Sequence, residues 1–238
     1  MNETIRQLFE RKSVRVYTGQ EITKEVKEVI LQAAAQAPTA GNQQLYTILD
    51  ITDQKIKDQL AVTCDHQPFI STAKMVLIFC ADCKKWYDAY LAGGCEPRKP
   101  DVGDFMIAFS DANIAAQNAV VAAHSLGLGS CYIGDIMERY EDHVRILSLP
   151  EYVFPAAMLV FGYPTEQQLN REKPGRVNMK YLVCENSYRE PNMKEALSDR
   201  AADYNDWILK FCDRKYNSEF AREMSRSVNA FLDRMRKA

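Results

Sequence analysis

The stretch DFMIAFSDANIAAQNAVVAAHSLGLGSCYIGD, Asp104–Asp135, decides the fold class of this 238-residue chain. Small and apolar residues recur at helical spacing from Asp104 to Leu126, which predicts one long helix. Gly127 and Gly129 then end this helix, and the residues after them predict a short strand. Small side chains on the helix would let a second helix approach closely, and they offer a close-packing face for a partner subunit. The helical pattern is carried by Ile107, Ala108, Asp111, Ile114, Ala115, Asn118, Ala119 and Ala122.

On the N-terminal side of this stretch, cap residues and apolar runs predict three further helices and two strands. Asn2 and Thr23 are each followed by a helical pattern, and Asn and Thr side chains can accept hydrogen bonds from the first backbone N–H groups of a helix. A short helix is predicted after Asp53. The runs at Tyr46–Thr52 and Met75–Asp82 predict strands, the second of them buried because it is almost wholly apolar.

On the C-terminal side the pattern continues without a regular alternation of strand and helix. Ala92–Asp104 is rich in Gly, Pro and charge and predicts a long loop. A helix is predicted near Met137–Ser148, a last core strand at Ala156–Pro164, and tail helices near Met193–Lys210 and Ser218–Lys237. This order is not a repeated βαβ series, so the sequence predicts an α+β fold.

Composition excludes several classes of function. The formal net charge is −2 and the pI is near 6.0, so general attraction to nucleic acid is not expected. No run approaches the roughly 20 apolar residues of a membrane span, and the N-terminus lacks the apolar core of a signal peptide. Seven scattered cysteines do not suggest a disulfide framework. We therefore predict a cytoplasmic protein without membrane or nucleic-acid partners.

Although the chain is slightly acidic, the stretch RKSVRVYTGQEIT, Arg11–Thr23, contains a local concentration of positive charge. One interpretation is a solvated helix end, where cations interact favourably with the negative end of the helix dipole. Alternatively, arginine and serine side chains can grip a phosphate, since guanidinium groups match its oxygens. A second basic turn, Lys173-Pro174-Gly175-Arg176, favours the phosphate site, because two such turns could converge on one group.

The familiar nucleotide and metal motifs are missing. Gly127, Gly129 and Gly134 do not match the dinucleotide-binding pattern, and they follow a helix instead of a strand. Cys80 and Cys83 form a single C-x-x-C without the further ligands that zinc requires, so we interpret them as core residues. None of the three histidines lies in a catalytic signature. A phosphate grip without catalytic side chains indicates an enzyme whose cofactor does the chemistry.

Six blocks together resemble the FMN-dependent nitroreductase and flavin reductase family, in the family's order. They look closest to its branch of NADPH-preferring, oxygen-insensitive nitroreductases and NADPH:flavin oxidoreductases. This resemblance implies a nitroreductase-like α+β fold with a central, mostly antiparallel sheet flanked by helices. It also implies a domain-swapped homodimer with an extended C-terminal arm, in which residues 1–190 form the core and residues 191–238 a helical extension on the partner subunit. The blocks are RKSVRVYTGQEIT, APTAGNQQLYTILDITD, STAKMVLIFCAD, DANIAAQNAVVAAHSLGLGSCYIGDI, LVFGYPTEQQLNREKPGR and YLVCENSY.

The resemblance also assigns FMN-binding residues. Arg11, Lys12, Ser13 and Arg15 match the family's FMN motif. Arg11 and Ser13, with Lys173 and Arg176, would hold the phosphate. Arg15 would lie near N1 and O2 of the ring, where a cation stabilises the negative charge left by reduction.

Three further segments are assigned around the ring. The turn that lines the flavin from the partner subunit would contain Asn42 and Gln44 as amide donors or acceptors. Gly134 would present its N–H to N5, and either His66 or Gln67, with Gln67 favoured, would border the ring. Arg214 and Lys215 are candidates for the NADPH 2′-phosphate, although a solvated helix end explains them equally well. The complete segments are Thr39, Ala40, Gly41, Asn42 and Gln44, and Tyr132, Ile133, Gly134 and Asp135.

The activity implied by the resemblance is two-electron transfer from NADPH or NADH to nitroaromatic, quinone or flavin acceptors. Hydride would pass through N5 of FMN by a ping-pong mechanism, and no protein side chain would act as a catalytic acid or metal ligand. Two alternatives remain open. The first is a non-catalytic FMN-binding or flavin-storage protein, and the second is another flavin reaction on this fold, such as dehalogenation or flavin fragmentation.

Overall fold

The core of the chain is an antiparallel sheet of four strands, seen in a computed structural model that describes residues 1–237. In chain order they are β1 (Tyr46–Asp50), β2 (Met75–Asp82), β3 (Gly129–Ile133) and β4 (Val153–Gly162). In the sheet they lie in the order β1-β2-β4-β3, and each neighbouring pair is antiparallel. The predicted antiparallel sheet is thus confirmed.

Helices cover both faces of this sheet. The two predicted caps are confirmed, since Asn2 and Thr23 each accept a hydrogen bond from the helix that follows, and Asp53 caps the helix predicted after it in the same way. The α-helices are α1 Glu3–Glu10, α2 Lys24–Ala35, α3 Gln54–Thr63, α4 Pro68–Thr72, α5 Lys84–Ala92, α6 Val102–Ser125, α7 Tyr140–Leu147, α8 Glu166–Asn170, α9 Met193–Leu197, α10 Tyr204–Lys215 and α11 Glu219–Lys237.

The two central strands explain why their sequences are almost continuously apolar. Every residue of β2 and of β4 is buried, because helices pack on both faces of the sheet. On β2, Leu77 and Phe79 face the layer that contains α6, while Val76 and Ile78 face the layer that contains α3 and α4. Burying an aliphatic or aromatic side chain of this size contributes about 1.5–3 kcal/mol, so these strands anchor the fold.

The long helix α6 uses its small side chains within its own chain. Ala108, Ala115 and Ala119 are fully buried in the layer between the helix and the sheet. The sequence suggested this alanine face as a close-packing surface for a partner, and the structure corrects that reasoning. The exposed apolar residues of α6 are larger, and they are Val102, Met106, Ile107 and Ile114.

Several predicted bounds are corrected by local capping. The long helix begins at Val102, two residues before the predicted start, because Asp101 and Asp104 form a capping box there. The predicted loop Ala92–Asp104 is preceded by α5, which the sequence did not indicate. The helix predicted at Met193–Lys210 is interrupted, because Asp203 accepts the Asp206 N–H and starts a new helix.

The chain divides into two units that are described separately. The first contains Met1–Arg171 together with the chain from Met224 onwards, and the second contains Glu172–Glu223. In the first unit, Phe231 of α11 is 1% exposed and packs against Phe105 and Phe154, with ring centroids 4.9 Å away in both cases. This part of the tail therefore packs on its own chain, and the packing of residues 191–238 on a partner subunit stays a prediction.

Candidate functional site

The basic segment Arg11–Arg15 leaves α1 and runs along the edge strand β3. The Val14 N–H donates to the Ser130 carbonyl oxygen at 2.9 Å, and Ser13 forms a parallel bridge with Ser130. Further along, Tyr17 forms an antiparallel bridge with Pro164, just after β4. The segment therefore extends the sheet by a short stretch of backbone pairing, which fixes the direction of its side chains.

Two paired glycines make this close approach possible. Gly129 of β3 lies opposite Gly162 of β4 in the sheet register. A Cβ on Gly129 would lie 2.6 Å from the Val14 side chain, and one on Gly162 would lie 2.6 Å from the Tyr17 ring. Both distances are far below van der Waals contact. The glycine run that fails as a dinucleotide motif thus has a structural role, namely to seat the basic segment.

This placement brings three predicted site residues together. The Arg11 guanidinium lies 6.0 Å from the centre of the Tyr132 ring, and its buried Nε has no hydrogen-bond acceptor. Burial raises the pKa of the Cys131 thiol, and the neighbouring Arg15 guanidinium and Ser13 hydroxyl oppose that rise. Arg11, Ser13 and Arg15 therefore cluster around the end of β3, and they leave one strong donor of Arg11 for an acceptor from outside the chain.

Lys12 differs from its neighbours because its charge is used within the fold. Its ammonium donates to the carbonyl oxygen of Leu169 at 2.6 Å and to that of Arg171. The Arg171 guanidinium donates in return to the Ser13 carbonyl oxygen, and the Gln168 amide oxygen accepts the Arg15 N–H at 3.2 Å. We call these contacts the α8 clasp. The sequence singled out neither Gln168 nor Arg171, because their importance depends on contacts over 150 residues away.

The turn Thr39–Gln44 precedes β1 and is held by a buried carboxylate. Asp111 of α6 is 3% exposed and accepts the N–H groups of Ala40, at 3.1 Å, and Leu45, at 3.3 Å. The turn is strained at Asn42 and Gln44, which both have positive φ, whereas Gly41 adopts its positive φ without a steric cost. Asp111 belonged to the helical pattern of α6, and no signal in the sequence distinguished it as the residue that holds this turn.

Within the turn, the predicted amide groups bond to each other. The Gln44 amide nitrogen donates to Asn42 Oδ1 at 2.6 Å and to the Asn42 carbonyl oxygen at 2.7 Å. The Gln44 N–H donates to the Thr39 hydroxyl oxygen at 3.2 Å. These contacts define the shape of the turn, while Gly41 and Asn42 remain exposed at its tip.

The turn and the basic segment lie at diagonally opposite corners of the sheet. Tyr46 at the start of β1 pairs with Ala81, whereas Ser130 of β3 pairs with Phe161, which pairs with Met75. The two edges are three strand spacings apart, about 14 Å, and Met75 and Ala81 are six residues apart, about 20 Å. On these ideal spacings, the start of β1 and Ser130 of β3 are roughly 24 Å apart within one chain.

Gln67 and its neighbours follow a sharp turn at the end of α3. Asp65 and His66 both have positive φ, and the Gln67 amide nitrogen donates to the Cys64 carbonyl oxygen at 2.9 Å. His66 is exposed and Gln67 is half-buried. The next residues reach the basic segment, because the Phe69 ring centre lies 5.9 Å from the Arg15 guanidinium.

Residues Tyr132–Asp135 continue from β3 into a 3-10 turn, Gly134–Met137. Ile133 is buried, whereas Gly134 is exposed, so its backbone can be approached from solvent. Burial raises the pKa of Tyr132 to about 12, although the Arg11 cation acts in the opposite direction. The Tyr132 hydroxyl donates to Gln117 Oε1 at 3.3 Å.

The remaining predicted residues belong to the second unit. Arg176 is exposed, and its guanidinium donates to the carbonyl oxygen of Pro174, two residues earlier, at 3.4 Å. Lys173 is half-buried. Arg214 and Lys215 are exposed in the last turn of α10, where the Arg214 guanidinium lies 5.4 Å from the Phe211 ring centre. Their place in a common site with Arg11 stays a prediction.

Other chemistry finds little support in residues 1–237. No group of three or more His, Cys, Asp or Glu side chains there could hold a metal ion, and no helix there is long and apolar enough to cross a bilayer. The thiols of Cys80 and Cys83 are buried, and burial raises the pKa of each to about 12. They behave as core residues, as the sequence indicated.

Comparison with known proteins places this arrangement in a family. The sequence profile of the nitroreductase family matches residues 8–163. The chain is 28% identical to an FMN reductase [NAD(P)H] of Bacillus subtilis over 99% of this chain and 93% of that protein. It is 32% identical to an FMN reductase (NADPH) of the same species over 79% and 75% of the two chains.

A solved structure agrees with these matches. The NfrA2 protein of B. megaterium superimposes with a TM-score of 0.79 at 29% identity, over 100% of this chain and 97% of that one. The profile alone covers well over half of the chain, and it spans the basic segment, the turn before β1 and the strand β3. The chain therefore belongs to the nitroreductase family.

Proposed function

We propose that the protein is an FMN-dependent oxidoreductase that uses NADPH or NADH as electron donor. The observation that carries this proposal is the cluster of Arg11, Ser13 and Arg15 against β3, with the buried Nε of Arg11 lacking an acceptor. Relatives named as flavin reductases support the same cofactor and donor. When bound, FMN supplies the two-electron redox chemistry.

The residues present fit such a group. Arg11 and Ser13 would hold the phosphate, because an orphaned guanidinium donor and a hydroxyl match phosphate oxygens. Lys173 and Arg176 would add cations to the same phosphate. Arg15 would place positive charge beside the ring, and the exposed backbone of Tyr132–Asp135 would border it. Lys12 would act indirectly, since its ammonium is bonded to carbonyl groups of the α8 clasp.

The proposal includes a homodimer, because one chain does not complete the site. The turn Thr39–Gln44 lies roughly 24 Å from the basic segment across the sheet, which is too far to contact the same flavin ring. A second copy would bring its own turn, with Asn42 and Gln44, to the ring. Exposed apolar side chains on α6, at Met106, Ile107 and Ile114, offer surface for such an interface.

For substrates we propose flat aromatic acceptors, namely nitroaromatics, quinones or free flavins, which can stack in turn with the nicotinamide in one pocket. Arg214 and Lys215 would favour NADPH over NADH by pairing with the 2′-phosphate. Each turnover takes two electrons and one proton from NAD(P)H, and a second proton comes from solvent.

An anaerobic titration of the purified protein tests the proposal. We expect a yellow protein whose flavin absorbance is bleached by one equivalent of NADPH or NADH and restored by an aromatic acceptor. Arg11→Met should weaken FMN binding at least about tenfold, the equivalent of about 1.4 kcal/mol. Arg6→Met is the matched control, because Arg6 is exposed and pairs with Glu3 and Glu10 of its own helix α1.

Two results would contradict the proposal. A protein that stays colourless after reconstitution with FMN has no flavin site. A protein that binds FMN but keeps it oxidised with both nucleotides would be a flavin-storage protein instead of an oxidoreductase.

A further inference from the structure

The basic segment Arg11–Arg15 is held from two sides, by β3 on one side and by the end of α8 on the other. In an extended chain the backbone polar groups of neighbouring residues point alternately to the two sides. Towards β3, the Val14 N–H donates to the Ser130 carbonyl oxygen at 2.9 Å. The backbone polar groups of Ser13 and Arg15 therefore point away from β3, and there they meet side chains from the end of α8.

Two of these side chains take the place of a neighbouring strand. The Gln168 amide oxygen accepts the Arg15 N–H at 3.2 Å, and the Arg171 guanidinium donates to the Ser13 carbonyl oxygen. Gln168 thus supplies the acceptor, and Arg171 the donor, that the backbone of a further strand would supply. Because both partners are side chains, a substitution can remove either bond while the backbone pairing with β3 stays intact.

The α8 clasp fastens the segment and the helix end to each other. Gln168 is 8% exposed, so its amide is held in place by its surroundings. The Arg171 bond to the Ser13 carbonyl oxygen involves a cation, which makes it stronger than a neutral hydrogen bond. In the opposite direction, the Lys12 ammonium donates to the carbonyl oxygens of Leu169 and Arg171. The helix end therefore cannot shift without moving the backbone of the segment.

The two backbone groups that the clasp bonds belong to residues with different proposed roles. Side chains 11, 13 and 15 of an extended segment project from one face. Under the proposed function, Ser13 holds the FMN phosphate together with Arg11, and Arg15 lies beside the ring. Arg171 therefore bonds the residue at the phosphate end of the segment, whereas Gln168 bonds the residue at the ring end.

We propose that Arg171 and Gln168 are positioning residues for the flavin, Arg171 for its phosphate and Gln168 for its ring. The inference rests on the proposed function, because it places FMN against the basic segment. Arg171 then contributes to the preference for FMN over riboflavin, which has the same ring and ribityl chain but no phosphate. Each side chain acts through one backbone hydrogen bond on a residue that contacts the flavin.

Dissociation constants for FMN and riboflavin test this assignment. They are measured by flavin fluorescence on the full-length chain after dialysis has removed bound flavin. Arg171→Met should raise the FMN constant about tenfold and leave the riboflavin constant within about twofold. Gln168→Met should raise both constants by the same factor, about fivefold. It should also shift the flavin midpoint potential to a more negative value, because the Arg15 cation stabilises the reduced ring.

Matched variants check that each effect comes from the lost hydrogen bond. Gln167→Met is the control for Gln168→Met, because Gln167 is the preceding residue of the same helix and is exposed. Arg6→Met again controls for the loss of an exposed arginine. Neither control should change either constant by more than about twofold. Gln168→Glu keeps an oxygen acceptor for the Arg15 N–H, so its riboflavin constant should return to within about twofold of the parent value.

Ionic strength separates positioning from the simple loss of a charge. A missing cation also weakens phosphate binding through space, but salt screens that effect. The rise in the FMN constant of Arg171→Met, relative to the parent, should therefore persist between about 0.1 and 0.5 M salt. A rise that disappears at high salt would overturn the role of Arg171. Equal losses of FMN and riboflavin affinity in Arg171→Met would overturn it as well, since they indicate general damage to the site.

Binding and reduction are measured separately, so this inference and the proposed function can fail separately. If the parent binds FMN but neither nucleotide reduces it, the oxidoreductase is rejected, and the binding changes above would still sustain the clasp. If NADPH or NADH reduces the parent while both Met variants bind the two flavins as the parent does, the oxidoreductase stands and the clasp is rejected. A parent that binds neither flavin rejects both.

Discussion

The seating of the basic segment on two glycines predicts that Gly129→Ala damages both the fold and the flavin site. The new Cβ would lie 2.6 Å from Cβ and Cγ2 of Val14 and 2.8 Å from Cγ1. Carbon atoms normally rest about 3.5–4.0 Å apart, so the segment must move outward by about 1 Å. Val14 cannot turn away, because a β-branched side chain would still present a methyl group or Cβ.

The cost can be worked out from the contacts that move. Overpacking of this kind typically costs about 1–3 kcal/mol. The 2.9 Å hydrogen bond from the Val14 N–H to Ser130 would lengthen, with a loss of about 0.5–1.5 kcal/mol. Since these terms overlap, we expect the free energy of unfolding to fall by about 2 kcal/mol. Arg11 and Ser13 would be displaced together, so the FMN dissociation constant should rise at least about tenfold.

Urea unfolding and flavin titration measure the two effects. Gly103→Ala is the matched control, because a Cβ there meets nothing within 4 Å and the residue lies in the first turn of α6. The control should be neutral or more stable by up to about 1 kcal/mol, since alanine favours a helix. In the double variant with Val14→Gly the two losses should not add. Equal stability and equal FMN affinity in Gly129→Ala and the control would refute the steric argument.

Three further predictions concern other parts of the first unit and the thiols. Asp111→Asn places an amide donor against one of two backbone N–H groups, so unfolding free energy should fall by about 1–3 kcal/mol and limited proteolysis should cut within Thr39–Gln44. Burial lowers the pKa of His143 below its usual 6.5, so the unfolded chain binds the proton more tightly. Stability is then fully present above about pH 7 and falls as the pH drops below about 6.5, and His143→Gln should flatten that part of the urea-midpoint curve. In the native protein a thiol reagent should modify three cysteines rapidly and the other four only after unfolding; the exposed three are Cys95, Cys184 and Cys212.

Local signals in the sequence were sufficient for the capped helices and the buried strands. Asn2, Thr23 and Asp53 cap helices through contacts with residues two or three positions away, so a short window contains the whole interaction. The run Met75–Asp82 is apolar on both faces, which only a central strand or a buried helix explains.

The roles of residues that depend on distant contacts could not be predicted from the sequence. Gly129 is required because Val14 crosses it, and Asp111 is buried because two N–H groups of the turn need an acceptor. In both cases the partner lies over 60 residues away along the chain. Neither residue type is unusual for its local position, since a glycine at a strand start and an aspartate in a helix are both common. The resemblance to a family identified the segments, and the fold identified the residues that hold them.

The division of charge within the basic segment follows from what each cation can bond. Lys12 carries a compact ammonium with three donors, which suits the carbonyl groups of Leu169 and Arg171 at the end of α8. Arg11 instead lies over the Tyr132 ring, and its buried Nε has no hydrogen-bond acceptor. Leaving such a donor unmet costs about 1–3 kcal/mol, a cost that a bound phosphate oxygen would remove. Lys12 therefore holds the segment in place, while Arg11 keeps a donor for an anion. We expect that exchanging the two residue types, with Arg at position 12 and Lys at position 11, would not preserve both roles.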